Sequence, residues 1–232
     1  MKSIAVSIVA LAVFGLSACA QTPYPRPDVK EPAVSSIVLP APVLDGSASL
    51  EKVLYQRRSI REYSSEALEL TDLSQLLWSG QGTTADWGGR TVPSAGALYP
   101  LELYVAVGNV KNLAPGIYKY EPVYHTLKKT GDADIREKLF QASLNQSCVK
   151  DAAIDIVIAA VYERTTVKYG ERGVRYVYLE AGHAAQNICL QATALGLGAV
   201  TVGAFYDEQV SDIIGLSEGE NPLYVIPVGR KR

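Results

Sequence analysis

The run Ile154-Asp-Ile-Val-Ile-Ala-Ala-Val161 restricts the fold more than any other stretch. It is nearly continuous apolar sequence with almost no polar alternation, so it predicts a strand buried in the middle of a sheet. Helix and strand patterns alternate around it. Residues 70–78 place apolar side chains at helical spacing, with Thr71 as the expected N-cap. Residues 101–107 read as a strand, and residues 116–120 and 123–127, separated by Glu121-Pro122, read as a hairpin. A short amphipathic helix is expected over 133–144 and a long one, with small residues along it, over 176–195. Two further strands, 199–203 and 223–228, close the pattern. One α+β domain spanning 51–232 is the economical reading.

Composition removes several classes of function. With 48% hydrophobic and 20% charged residues in 232, the chain has the make-up of a folded protein. Its net charge of -2 lacks the basic excess of a nucleic-acid binder. Two His and three Cys are little material for a structural metal site or a disulfide scaffold. Cys189 falls within a helical pattern and reads as a small buried residue, not as half of a bridge to Cys148.

The N-terminal segment has the pattern of a targeting sequence. Lys2 precedes an apolar run over 4–16, too short to span a bilayer but suited to a signal-peptide core. It ends in Leu16-Ser-Ala-Cys19, which resembles the lipobox of bacterial lipoproteins; a plain secretory signal is the alternative. The resemblance implies removal of 1–18, lipidation of Cys19, and a membrane anchor. In a double-membraned cell, Ala20 after the cysteine favours the periplasmic face of the outer membrane. Loss of the Lys2 charge takes -2 to -3. Residues 19–50, with six prolines between 23 and 42, are expected to form an extended tether.

Two stretches carry candidate chemistry. Arg57-Arg58-Ser59-Ile60-Arg61 sets three guanidiniums and a hydroxyl within five positions, which is either a phosphate grip or a solvated basic face. Pro93-Ser-Ala-Gly-Ala-Leu-Tyr-Pro100 is a small-residue loop running into a strand, and small side chains let backbone approach a flat ligand. Glu180 and His183 share a helix face at i, i+3 spacing, half of a di-iron carboxylate pattern whose second half is absent. With Gln186 and Asn187 they read more simply as a polar stripe, hydrogen-bonded at a subunit interface or beneath a ligand.

Together these stretches resemble the nitroreductase superfamily, and within it the SagB-type branch that includes the azoline oxidases. Gly116-Ile-Tyr-Lys-Tyr, Lys168-Tyr-Gly-Glu-Arg, Glu180-Ala-Gly-His and Leu195-Gly-Leu-Gly-Ala-Val-Thr-Val-Gly-Ala-Phe205 agree in order and spacing over about 51–230. The resemblance implies a central, mostly antiparallel mixed sheet flanked by helices, with FMN at a homodimer interface. It assigns Arg57, Arg58, Ser59 and Arg61 to the flavin, with Arg57, Ser59 and Arg61 on phosphate, ribityl and pyrimidine edge. It brings Ser94, Ala95 and Gly96 to the ring from the loop, and the backbone of Val202, Gly203 and Ala204 to flavin N5. Arg230 is a further phosphate candidate. The sequence departs from simple nitroreductases at Ala97, where they carry a flavin-contacting Asn.

In the azoline oxidases a Lys-Tyr pair removes a ring proton, and Lys168-Tyr169 matches its place. An adjacent ammonium favours phenolate over phenol, which suits Tyr169 to general acid–base work; a plain turn with one exposed Lys is the alternative. The expected function is an FMN oxidoreductase acting on a small electrophilic or heterocyclic substrate outside the cytoplasm. Its electron partner would be a quinol or a redox protein. The competing reading is a flavin- or ligand-binding lipoprotein with little turnover.

Overall fold

The computed structural model describes residues 36–232. The signal segment 1–18, the anchor Cys19 and the first part of the expected tether lie outside the described residues. Among the described residues, no helix is long and apolar enough to cross a membrane.

The sheet has seven strands in the order β1-β4-β3-β2-β5-β7-β6, and every adjacent pair of strands is antiparallel. The strands are β1 (Ile37–Val38), β2 (Leu101–Val107), β3 (Gly116–Glu121), β4 (Thr126–Gly131), β5 (Ile154–Val161), β6 (Leu197–Ala199) and β7 (Glu220–Arg230). The apolar run is β5, paired on both sides by β2 and β7. Its alternate residues serve two cores, which is why it carries almost no polar positions. Ile154, Ile156, Ile158 and Ala160 pack against α2 (Leu70–Gln81) and α6 (Arg172–Ala194). Val157 and Ala159 pack against α3 (Arg136–Ala142), α4 (Ser147–Asp151) and α7 (Asp207–Ile214). The remaining helices are α1 (Leu50–Gln56) and α5 (Glu163–Tyr169). Ala181, Ala184, Ala185 and Ala192 on the buried face of α6 allow close approach. At Gly80 on α2, a Cβ would stand 3.0 Å from Ile188 of α6 and 3.1 Å from Leu103. Cys148 and Cys189 are buried free thiols in different cores.

Several elements depart from expectation. Helix α2 is capped by Glu69, not Thr71: Glu69 and Asp72 form a reciprocal capping box. The second hairpin strand starts at Thr126, three residues later than expected, because His125 takes φ 53° in the turn. The last part of the expected tether is not free. Ile37 and Val38 pair with β4, Leu39 is buried, and the Val43 N–H donates to Gln75 Oε1 at 2.8 Å. The anchor point is His125, whose Nε2 lies 2.9 Å from the Pro40 carbonyl and whose Nδ1 lies 2.8 Å from the Tyr120 hydroxyl. Prolines deny this segment a long strand, yet two residues of pairing and one buried leucine suffice to dock it.

Candidate functional site

The arginine run leaves α1 and passes along the free edge of β6. The Ile60 N–H donates to the Ala199 carbonyl at 3.0 Å, and Ser59 forms a parallel bridge with Ala199. The three guanidiniums do not converge. Arg58 folds back, donating Nη1 hydrogen bonds to the carbonyls of Tyr55 and Arg57 at 2.9 and 2.7 Å. Arg57 acts on the Cys189 thiol of α6, whereas Arg61 acts on Cys148 and Tyr63 in the other core. Neither Arg57 nor Arg61 has a carboxylate partner among the described residues. Arg230, the further phosphate candidate, has its Nη2 2.8 Å from Asp72 Oδ2 in a partly buried ion pair that ties the end of β7 to the first turn of α2.

Val202 is fixed by reciprocal backbone hydrogen bonds with Val225, at 2.8 and 3.0 Å. The next two amides, Gly203 and Ala204, are exposed and donate to no backbone acceptor among the described residues. Gly203 also walls a cavity of about 700 Å³ with Tyr162, Tyr178, Phe205, Asp207 and Asp212.

The small-residue loop lies elsewhere, over the N-terminal half of α6. Gly96, Ala97 and Tyr99 all have positive φ, at 64°, 53° and 45°. The two non-glycine positions are strained conformations that persist only where surroundings fix them. A Cβ on Gly96 would stand 2.9 Å from the Tyr169 hydroxyl and 3.0 Å from Lys168 Nζ. The fold thus seats the Lys-Tyr pair, at the end of α5, directly against the loop. Tyr169 is held edge-on by Tyr176, with ring centroids 5.1 Å apart. Ser94, assigned to the ring by the resemblance, turns its hydroxyl back to the loop, accepting the Tyr99 N–H at 2.9 Å. Ala95 stands between them in a single 3-10 turn.

The polar stripe on α6 divides. Glu180 is buried beneath the loop, and burial pushes its carboxyl up to about 7 against the opposing pull of Ser94 and Arg90. Asn187 donates to the carbonyls of Ser79 and Thr91 at 3.2 and 3.4 Å, while His183 and Gln186 are exposed. Arg90 and Arg164 were not singled out from sequence. Arg90 stacks 4.5 Å over the Tyr99 ring, and Arg164 donates to the Tyr99 carbonyl at 3.0 Å while pairing with Glu102 at 2.6 Å. Isolated arginines outside any motif give no sequence signal for such contacts.

This sheet and helix arrangement defines an α+β protein of nitroreductase-like fold. The chain belongs to the nitroreductase family, whose sequence profile matches residues 54–230. It is 50% identical over 182 residues to MJ1384 of Methanocaldococcus jannaschii, which carries a nitroreductase name, covering 78% of this chain and 91% of that protein. A crystal structure from Ralstonia eutropha, also named a nitroreductase, superposes with a TM-score of 0.75 at 32% identity, covering 90% of this chain and 94% of that one. A chain of the E. coli microcin synthetase McbBCD complex shares the fold, with a TM-score of 0.65 at 21% identity, covering 98% and 85%.

Proposed function

We propose that this protein is an FMN-dependent oxidoreductase of the SagB type, moving hydride to or from a small electrophilic or heterocyclic substrate. The reading is supported by membership of the nitroreductase family over residues 54–230, together with exposed amides at Gly203 and Ala204 that donate to no backbone acceptor among the described residues. FMN, when bound, supplies the two-electron chemistry. Arg57, Ser59 and Arg61 would hold its phosphate, ribityl chain and pyrimidine edge in turn, the guanidiniums by charge-assisted hydrogen bonds. The Gly203 and Ala204 N–H groups would orient the ring. Tyr169 Oη would take or give the substrate proton that accompanies hydride, with Lys168 Nζ 5.5 Å from its ring centroid. The fold shared with the McbBCD complex supports the SagB assignment.

A homodimer is part of the same reading. The arginine run follows α1 and lies along the β6 edge, whereas the small-residue loop packs on α6. Tyr178 and Leu179 of α6, with Leu50, Leu54 and Tyr55 of α1, leave apolar surface exposed for a second copy.

The visible spectrum of the purified protein tests the cofactor. Flavin absorbance that is lost on dithionite addition is expected; a colourless protein that FMN cannot reconstitute would overturn the reading. Export and anchoring at Cys19 rest on the sequence of residues 1–19. Radioactive fatty acid should label the wild-type chain and not Cys19→Ala, and label on both would remove the anchor. A quinol or redox protein would then be the electron partner.

A further inference from the structure

We propose that Arg164 is the positioning residue of the acid–base pair: one guanidinium clamps α5 to the small-residue loop and to β2, and so seats Lys168 and Tyr169 against Gly96. The inference rests on the reading of Lys168 and Tyr169 as the proton-transfer pair.

Helix α5 has seven residues, too few to be stable alone, so its contacts decide where it lies. Thr165 is the buried one of the seven, and Arg164 supplies the side-chain hydrogen bonds. Its Nη1 donates to the Tyr99 carbonyl at 3.0 Å, and its Nη2 lies 2.6 Å from Glu102 Oε1. These acceptors flank Pro100, Tyr99 at the end of the loop and Glu102 at the start of β2. A single planar fork thus fixes the helix to both.

The sheet end of the clamp is itself well held. Glu102 Oε2 is 3.4 Å from Lys119 Nζ of β3, which pairs with Glu220 Oε1 of β7 at 2.7 Å. Glu220 also accepts the Tyr104 hydroxyl at 2.6 Å and the Ser217 N–H at 3.0 Å. A network of this kind, with its carboxylates largely buried, keeps each member in place. The Arg164 end is open to water, where an ion pair adds little stability. What it sets is where the helix and the loop meet.

That meeting point carries the pair. Lys168 follows Arg164 by four residues, on the same side of α5, and Tyr169 ends the helix. A Cβ on Gly96 would stand 3.0 Å from Lys168 Nζ and 2.9 Å from the Tyr169 hydroxyl. The left-handed residues Gly96, Ala97 and Tyr99 are therefore pinned to α5 at both ends, Gly96 by the pair and Tyr99 by Arg164. Left-handed backbone is unfavourable for Ala and Tyr, so a released Tyr99 carbonyl lets the turn relax away from Lys168 and Tyr169. Lysine at 164 would keep the charge and lose the fork.

NMR of the purified full chain tests the clamp without turnover. Nuclear Overhauser contacts between Gly96 and the Tyr169 ring are expected in the wild type. Arg164→Lys and Arg164→Ala should lose them while the urea midpoint stays nearly constant, and Val167→Ala, on the exposed side of the same helix, should keep them. With FMN bound and reduced by dithionite, oxidation by nitrobenzene in stopped flow reads the consequence. Arg164→Lys should lower the limiting rate about tenfold or more and leave the half-saturating concentration within about threefold, the mark of a displaced group and not of lost binding. Contacts that survive in Arg164→Lys, or that Val167→Ala loses equally, would overturn the proposal. So would a wild-type limiting rate in Arg164→Lys beside a slow Tyr169→Phe. Lost contacts in Arg164→Lys beside a wild-type rate for Tyr169→Phe would overturn the acid–base reading and leave the clamp standing.

Discussion

Gly96 and Tyr169 meet with no room between them: a Cβ on Gly96 would lie 2.9 Å from the Tyr169 hydroxyl, closer than side chains tolerate. With Gly96 at φ 64°, alanine there is opposed by backbone and by contact at once. Gly96→Ala should destabilise the protein by about 1–3 kcal/mol, measured by urea unfolding. It should also displace Lys168 and Tyr169 and slow turnover. An unchanged unfolding midpoint would show that the loop adapts freely.

Tyr169→Phe should retain fold and flavin while slowing the proton-coupled half-reaction about a hundredfold or more. Lys168→Ala should act in the same direction and combine less than additively with it, because groups working as one unit are not independent. Single-turnover rates within about threefold of wild type would remove the pair from catalysis.

Arg57→Ala should weaken FMN binding by about 1.5–3 kcal/mol, the usual worth of a hydrogen bond to a charged group. That is roughly ten- to a hundredfold in dissociation constant. Arg58 is bonded to the Tyr55 and Arg57 carbonyls, so Arg58→Ala should change that constant by less than about threefold. Equal losses from both, by fluorescence titration, would return the run to the status of a basic face.

Burial holds His125 below its ordinary 6.5, so the folded chain resists a proton that the unfolded chain accepts. The docking of the Pro40 segment should be complete above pH 6.5 and weaken as pH falls below it. Limited proteolysis within residues 41–48 should accelerate at pH 5.5 relative to 7.5, and His125→Gln should flatten that difference. A pH-independent cleavage rate in the wild type would contradict this.

Asp155 presents the opposite sign. Both of its carboxylate oxygens lack partners, and complete burial raises its pKa well above 3.8, against the pull of Arg136. The folded chain keeps a proton that the unfolded chain releases, so the wild type should lose stability relative to Asp155→Asn as pH rises above 3.8. Parallel stability–pH curves for the two proteins would refute the assignment.

The central strands were legible in the sequence because burial on both faces leaves a run such as 154–161 with almost no polar interruption. The long helix was legible from its small residues, although it begins at Arg172, four residues before the expected start. Elements set by single contacts were not. Nothing in Pro40 or Leu39 announces a dock on His125, and nothing in Thr71 shows that Glu69 and Asp72 would take over the cap. The site divides in the same way. Family resemblance supplied the arginine run, the loop and the Lys-Tyr pair. That Arg58 folds back onto the carbonyls beside it, and that Arg230 is held by Asp72 from 158 positions away, depend on where side chains meet in space.

The order of strands also decides how the molecule can be presented. The chain enters the described fold at β1, one edge of the sheet, while Ser59 and Ile60 lie against β6, the other. Six interstrand steps at about 4.8 Å set these edges roughly 29 Å apart. Anything joined ahead of Ser36, whether a tag, a surface or a lipid, therefore takes hold at the far bank of the domain.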